Sequence, residues 1–166
     1  MTEPNPGHAW SVLIHKDMVL NANATKGKHW GASSPQIADL RTLGIVQSRR
    51  LPRFDRVRCD VTVSYPDRVE RDAMNLYPTM KAYVDGLVNC TPGTRQGRGI
   101  LHDDSDFYLE GPFIRWSGKR STSSRHFEFR IVLTPLEPLE WDRDAVGKAA
   151  LARMDAALQG VGYPTV

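Results

Sequence analysis

The sequence predicts an α/β fold of the α+β kind, with a mixed β-sheet packed with helices in a single compact domain. Three observations predict it. Strand-like alternation occurs near the start, in the middle and late in the chain; helical stripes opened by proline lie between those runs; and 166 residues suffice for one sizeable core but not for two. The domain spans residues 1–166, with its core over about residues 8–135 and a C-terminal helix within 141–159.

The first strand is expected over His8 to Ile14, where Trp10, Val12 and Ile14 alternate toward one face. Leu20 to Ser34 follows as a polar loop whose Asn21, Asn23, Lys26, Lys28, His29 and Trp30 suit contact with a substrate. Ser34-Pro35 reads as an N-cap followed by proline in the first turn, and Ile37, Leu40, Leu43 and Ile45 form an approximate helical stripe. Gly44 leaves the length of that helix open. From Phe54 to Tyr65, Val57, Cys59, Val61 and Val63 alternate with Arg56, Arg58, Asp60 and Thr62, the pattern of a sheet with one wet face.

Pro78 marks the start of the next helix, on which Met80, Tyr83, Val84 and Leu87 share one face while Lys81 and Asp85 stand one turn apart on another. Asp72 and Asn75 fall in the connection entering it. Residues 89–99 combine turn formers with Arg95 and Arg98, a basic loop. Phe107 to Trp116 and His126 to Leu133 read as strands joined as a hairpin through Ser117 to Arg125, and Pro135 and Pro138 close the sheet. Asp142 to Leu158 is a final helix of good formers.

Composition narrows the function classes. Hydrophobic residues at 40% and charged residues at 25% describe an ordinary globular protein, neither disordered nor fibrous. No apolar run is long enough to span a bilayer and the N-terminus lacks a signal-peptide pattern, so the expectation is a cytoplasmic protein with no membrane partner. Cys59 and Cys90 form no CxxC and support neither a disulfide framework nor a zinc site.

Against this basic background, with a formal net charge of +3, acidic groups recur between Arg71 and Asp106. Asp72, Asp85, Asp103, Asp104 and Asp106 lie in that stretch beside Lys81. Converging carboxylates suggest a hard divalent cation such as Mg²⁺, and a basic protein with such a site points to a polyanion, most simply a nucleic-acid backbone. Each residue also has a plainer role. Asp72 can cap a turn, Lys81 and Asp85 can be an ordinary i,i+4 ion pair, Asp103 to Asp106 can be a solvated turn, and His102 can be an incidental loop residue. The cations are scattered, which describes an ordinary soluble surface unless folding gathers them into a phosphate-tracking one.

The run Arg71-Asp72-x-x-Asn75-Leu76, then Lys81-x-x-x-Asp85-Gly86-Leu87, then Asp103-Asp104 resembles the signature of RusA-type Holliday junction resolvases, especially divergent forms from phages of actinobacteria. The likeness is strongest from Tyr65 to Asp106. Leu20-Asn21-Ala22-Asn23 also looks like the family's asparagine-bearing loop, whereas the C-terminal helix is not covered. The resemblance implies a RusA-like fold and a homodimer that cuts four-way junctions or other branched DNA in a bacterial or phage-infected cell. It also implies an Mg²⁺ cofactor, with Mn²⁺ as a substitute.

Carried over by position, Asp72, Asp104, Lys81 and Asp85 are the catalytic candidates. Asp72, Asp85, Asp103 and Asp104 are the metal-ligand candidates, with Asp104 favoured over Asp103. Asn21, Asn23, Lys26, Lys28, Arg71, Asn75, Lys119 and Arg120 are the DNA-binding candidates. The chain departs from the pattern at Met74, where many members carry a second aspartate, and methionine is a poor ligand for Mg²⁺. Three readings follow: Asp85 with Asp103 or Asp106 completes the site, the metal is held more weakly, or activity is lost. Beside a junction resolvase stand two alternatives, a catalytically silent branched-DNA-binding protein and a nuclease for flaps or other replication intermediates.

Overall fold

A computed structural model of the chain describes residues 7–23, 34–88 and 99–139. The expected C-terminal helix, the loop at 89–98, Cys90, Lys26, Lys28, His29 and Trp30 lie outside the described residues. In chain order the elements are β1 (His8–His15), α1 (Ser34–Ser48), β2 (Val57–Tyr65), α2 (Tyr77–Val88), β3 (Leu109–Arg120) and β4 (His126–Pro135), with short 3-10 turns at Lys16–Met18 and Ala73–Leu76. The four strands form one mixed sheet in the order β1-β4-β2-β3. β4 runs antiparallel to both neighbours, and β2 and β3 are parallel.

That order corrects one expectation. β3 and β4 are consecutive but do not form a hairpin, because β2 lies between them. Burial explains the placement: Val57, Cys59, Val61, Val63 and Tyr65 are all buried, and the strand with the most apolar face takes a central slot. β3 contains Pro112, which has no N–H for a ladder and is tolerated at an edge. Residues 121–125 therefore cross the end of β2. The Ser121 N–H donates to the Tyr65 carbonyl (2.8 Å) on one side, and the Arg125 carbonyl accepts from Lys16 N–H (3.0 Å) on the other.

β2 begins at Val57, three residues later than the alternation suggested. The Phe54 N–H donates instead to the Ile100 carbonyl (2.7 Å), so the segment after Pro52 docks on a loop before the chain enters the sheet. β3 begins later than expected and continues past Trp116 to Arg120.

Both helices pack on the sheet face carrying Trp10, Val61, Phe129 and Ile131. Met80, Tyr83, Val84 and Leu87 of α2 are almost fully buried there, each apolar side chain contributing about 1.5–3 kcal/mol of transfer free energy. The Trp10 Nε1–H donates to Tyr83 Oη (3.0 Å), tying β1 to α2. α1 runs through Gly44 without a break, and that glycine is where the helices meet. A Cβ on Gly44 would lie 2.1 Å from the Tyr83 carbonyl oxygen, and one on Gly86 would lie 2.0 Å from that of Arg41. The helix backbones thus touch directly, and a methyl at either position would force them apart.

The segment after β1 is fixed to the start of α2. The Leu20 N–H donates to Thr79 Oγ1 (2.8 Å), and the Ala22 N–H donates to the Asn75 carbonyl (2.8 Å). Asn21 and Asn23 are therefore carried to the turn holding Asp72 and Asn75, although about fifty residues of chain separate them. Among the described residues no helix is long and apolar enough to cross a membrane.

Candidate active site

Lys81 is the centre of the acidic stretch. Its Nζ donates to Asp85 Oδ1 at 2.6 Å and to Asp104 Oδ2 at 2.6 Å. Asp85 is one helical turn away, so that bond follows from helix geometry. Asp104 comes from the loop before β3, and its approach requires the tertiary fold. The Asp104 N–H donates to Asp103 Oδ1 (2.7 Å), which shapes the loop so that Asp104, not Asp103, faces the lysine. Asp85 Oδ2 also accepts from an Arg41 Nη of α1 (3.3 Å). The pair is thus no ordinary surface contact: the Asp85 side chain is only 16% exposed and serves two cations from two helices.

The electrostatics follow from these contacts. Desolvation lowers the pKa of the Lys81 ammonium, but hydrogen bonds to Asp104 and Asp85 outweigh it and hold the pKa above the ordinary lysine value. The Lys81 hydrogen bond holds the Asp104 carboxyl below its usual range against an opposing desolvation effect. Lysine and Asp104 are both kept charged.

Asp72 is used differently. Its backbone is extended and its Oδ1 accepts from Met74 N–H (2.9 Å), while Asn75 N–H donates to the Asp72 carbonyl (3.0 Å). It caps the 3-10 turn that leads into α2. Met74 points outward at 52% exposure. Asp103, Asp106 and His102 are exposed, and the His102 ring lies 5.3 Å from that of Tyr108.

Of the four metal-ligand candidates, the structure joins Asp85 and Asp104 through Lys81, sets Asp103 behind Asp104, and keeps Asp72 on its turn. Among the described residues no three His, Cys, Asp or Glu side chains gather as a metal-binding group. Asp85 and Asp104 nevertheless offer the hard oxygens that magnesium takes. One or two protein carboxylates suffice for that ion when water and substrate phosphate complete its shell, so the donor chemistry fits.

The DNA-binding candidates among the described residues divide into two places. Asn21, Asn23 and Asn75 flank the Asp72 turn. Arg71, Lys119 and Arg120 line a cleft of about 500 Å³ at the C-terminal ends of β2 and β3. Arg71 is committed there to Asp67 through two guanidinium contacts (2.5 and 2.8 Å) and to the Val69 carbonyl (3.1 Å). The Arg71 hydrogen bond draws the Asp67 carboxyl down to about 2. Arg71 thus holds the loop closed, while Lys119 and Arg120 are exposed.

Sequence reasoning missed Arg41, which carries no local signal because only the close contact of α1 and α2 brings it to Asp85. It also missed Trp116 as a surface residue. Its place in a strand alternation hid the fact that it lies beyond the cover of the helices, 58% exposed.

No family model matches the chain, and no curated protein matches it.

Proposed function

We propose that this chain is a Mg²⁺-dependent, structure-selective endonuclease that acts as a homodimer on four-way junctions or related branched DNA. One observation supports the reading above the others: Lys81, Asp85 and Asp104, taken from separate parts of the signature, meet at a single ammonium. A chance i,i+4 pair would not bring in a carboxylate from a loop beyond α2.

A bound magnesium ion supplies charge neutralisation at the phosphodiester and a water of lowered pKa. Asp85 and Asp104 would be the residues to hold it, while Asp72, which caps the turn before α2, is not gathered with them and enters on the resemblance alone. Lys81 has its ammonium between two acceptors and is positioned to donate to a phosphate oxygen as negative charge builds there. Asn75, fixed by Ala22, and the Asn21–Asn23 segment orient the backbone of the cut strand. Resolution of a four-way junction requires two opposed nicks, which is why the active form is read as a dimer.

The decisive experiment is cleavage of a labelled four-way junction, a flap and a linear duplex by wild type with Mg²⁺, with EDTA, and by Asp104→Asn. Paired nicks confined to the junction that need both Mg²⁺ and Asp104 are expected. Cutting confined to the flap supports the replication-intermediate nuclease instead. One feature favours a second reading, a silent branched-DNA-binding protein: Met74 stands where many members of the RusA-type family carry an aspartate, and Asp72 is engaged in capping the Met74 N–H. Tight junction binding with no nick under any condition supports that reading.

A further inference from the structure

We infer that the cleft at the ends of β2 and β3 is a binding site for an unpaired nucleotide, with Trp116 as the stacking surface for its base and Lys119 and Arg68 as contacts for its phosphates. The inference rests on the nucleic-acid reading above and adds a site and a strand state to it.

The construction begins in β3. Val63 is paired with Trp116 and Tyr65 with Arg120, so β3 uses four steps where β2 uses two. Such an insertion bends a strand outward and re-aims its side chains. Gly118 at its centre has a φ of +74°, a conformation open to glycine at no cost, and nothing lies within 4 Å of where its Cβ would be. Ser117 fixes the bulge. Its Oγ bonds Ser64 Oγ (2.8 Å) and accepts from Lys119 N–H (3.0 Å).

The consequence is an indole left in the open. Trp116 shares the inner face with Val63, but it lies almost parallel to Tyr65 (10° between ring planes, centroids 6.2 Å apart) and is 58% exposed. Tyr65 is itself buried and pinned, its hydroxyl donating to the Arg71 carbonyl (3.2 Å). Tyr65 backs the indole on one side.

Charge selects the occupant. Arg68, Arg71, Lys119 and Arg120 face Asp67 and Glu70 around the cleft. Arg71 and Asp67 cancel in their bidentate pair, and Arg120 reaches the Pro66 carbonyl (3.4 Å). A net positive rim around an exposed aromatic face suits a ligand that is flat and apolar at one end and anionic at the other. A nucleotide of single-stranded DNA has that form, and base–aromatic stacking tolerates any sequence because every base has a π-face. A paired base hides its faces in the stack, so the cleft favours unpaired strand over duplex.

The test is fluorescence anisotropy with a short labelled oligo(dT) and, separately, a linear duplex. The full chain is used in EDTA, as wild type, Trp116→Ala, Trp116→Phe and Lys119→Ala. Trp116→Ala is expected to weaken oligo(dT) binding about 5- to 100-fold and duplex binding less than about twofold. Trp116→Phe is expected to stay within about threefold of wild type, and Lys119→Ala to lower the salt slope by about 0.7. Unchanged oligo(dT) binding by Trp116→Ala overturns the inference, as does an equal loss on the duplex. A change in oligomeric state by sedimentation with oligo(dT) affinity intact also overturns it, and makes Trp116 a self-association contact. Because EDTA prevents cutting, the two readings fail separately. A Trp116 effect without any junction nicking in Mg²⁺ removes the nuclease and leaves this site, and nicking without a Trp116 effect does the reverse.

Discussion

At Lys81 one cation is divided between two carboxylates, one of them delivered by a distant loop. At Arg71 one carboxylate, four residues away, takes both ends of a guanidinium. The first cluster exists only when α2 and the loop before β3 are both in place, and Arg41 extends it to α1. The second is assembled by its own loop and needs only the end of β2. A substitution at the first therefore probes the fold and the chemistry together, whereas one at the second probes the loop and the cleft it walls. The contrast also separates the roles of charge. Around Lys81 two carboxylates, Asp85 and Asp104, are balanced by two cations, Lys81 and Arg41; around Trp116 base outnumbers acid, which suits an anion.

Four measurements would break or sharpen that contrast. The largest effect is expected from Asp104→Asn, which should lower junction cleavage at least about a thousandfold, the several kcal/mol that charge stabilisation supplies, while junction binding changes little. Undiminished cutting by this variant removes the Lys81 cluster from the chemistry. Lys81→Ala should slow cleavage about a hundredfold and weaken binding far less. It should also lower stability by about 1 kcal/mol, a modest figure because the lysine is over a third exposed and solvent screens the pairs. An equal loss in rate and affinity would reduce Lys81 to a phosphate contact.

Met74→Asp comes third, with an expected gain in Mg²⁺-dependent nicking of about tenfold and a stability change within about 0.5 kcal/mol at this exposed position. No gain, or a loss, would mean that the turn does not present residue 74 to the metal. The smallest effect concerns acid. Asp67 has a folded pKa of about 2 against an ordinary 3.8, so its contribution to stability is complete above about pH 4 and is lost as pH falls toward 2. Asp67→Asn should flatten the fall of the unfolding midpoint across that window. An unaltered acid profile would assign the fall to Asp104, whose carboxyl is also depressed. Above pH 10.5 the sign reverses for Lys81, whose raised pKa makes its contribution disappear as the ammonium deprotonates.

Much of the architecture was legible where side-chain periodicity matches one buried face. β1, β4 and the inner stripe of α2 fall where alternation and helical spacing put them, because burial on a single side imprints a period on the chain. The pairing of strands carries no such imprint. Nothing local distinguishes a hairpin through Ser117–Arg125 from a crossing over β2, and the deciding features, the apolarity of β2 and Pro112 in β3, are visible only when strands are compared. At the site, Lys81 with Asp85 could be read from spacing and Asp104 from the signature. Arg41 could not, because the close approach at Gly44 and Gly86 that delivers it is a property of two helices. The bulge at Ser117–Lys119 was hidden for a related reason: the turn formers there read equally well as a loop.

The sheet order also governs when the protein can fold. Among the described residues β1 pairs with β4 alone, with His15 opposite His126, about 110 residues later in the chain. During synthesis at roughly 5–20 residues per second, the first strand waits several seconds or more before its partner is made. Throughout that interval the backbone N–H and C=O groups of β1 lack the partners that β4 supplies, and bringing together strands so far apart in sequence makes the pairing slow. β1 is thus made well before the strand that secures it.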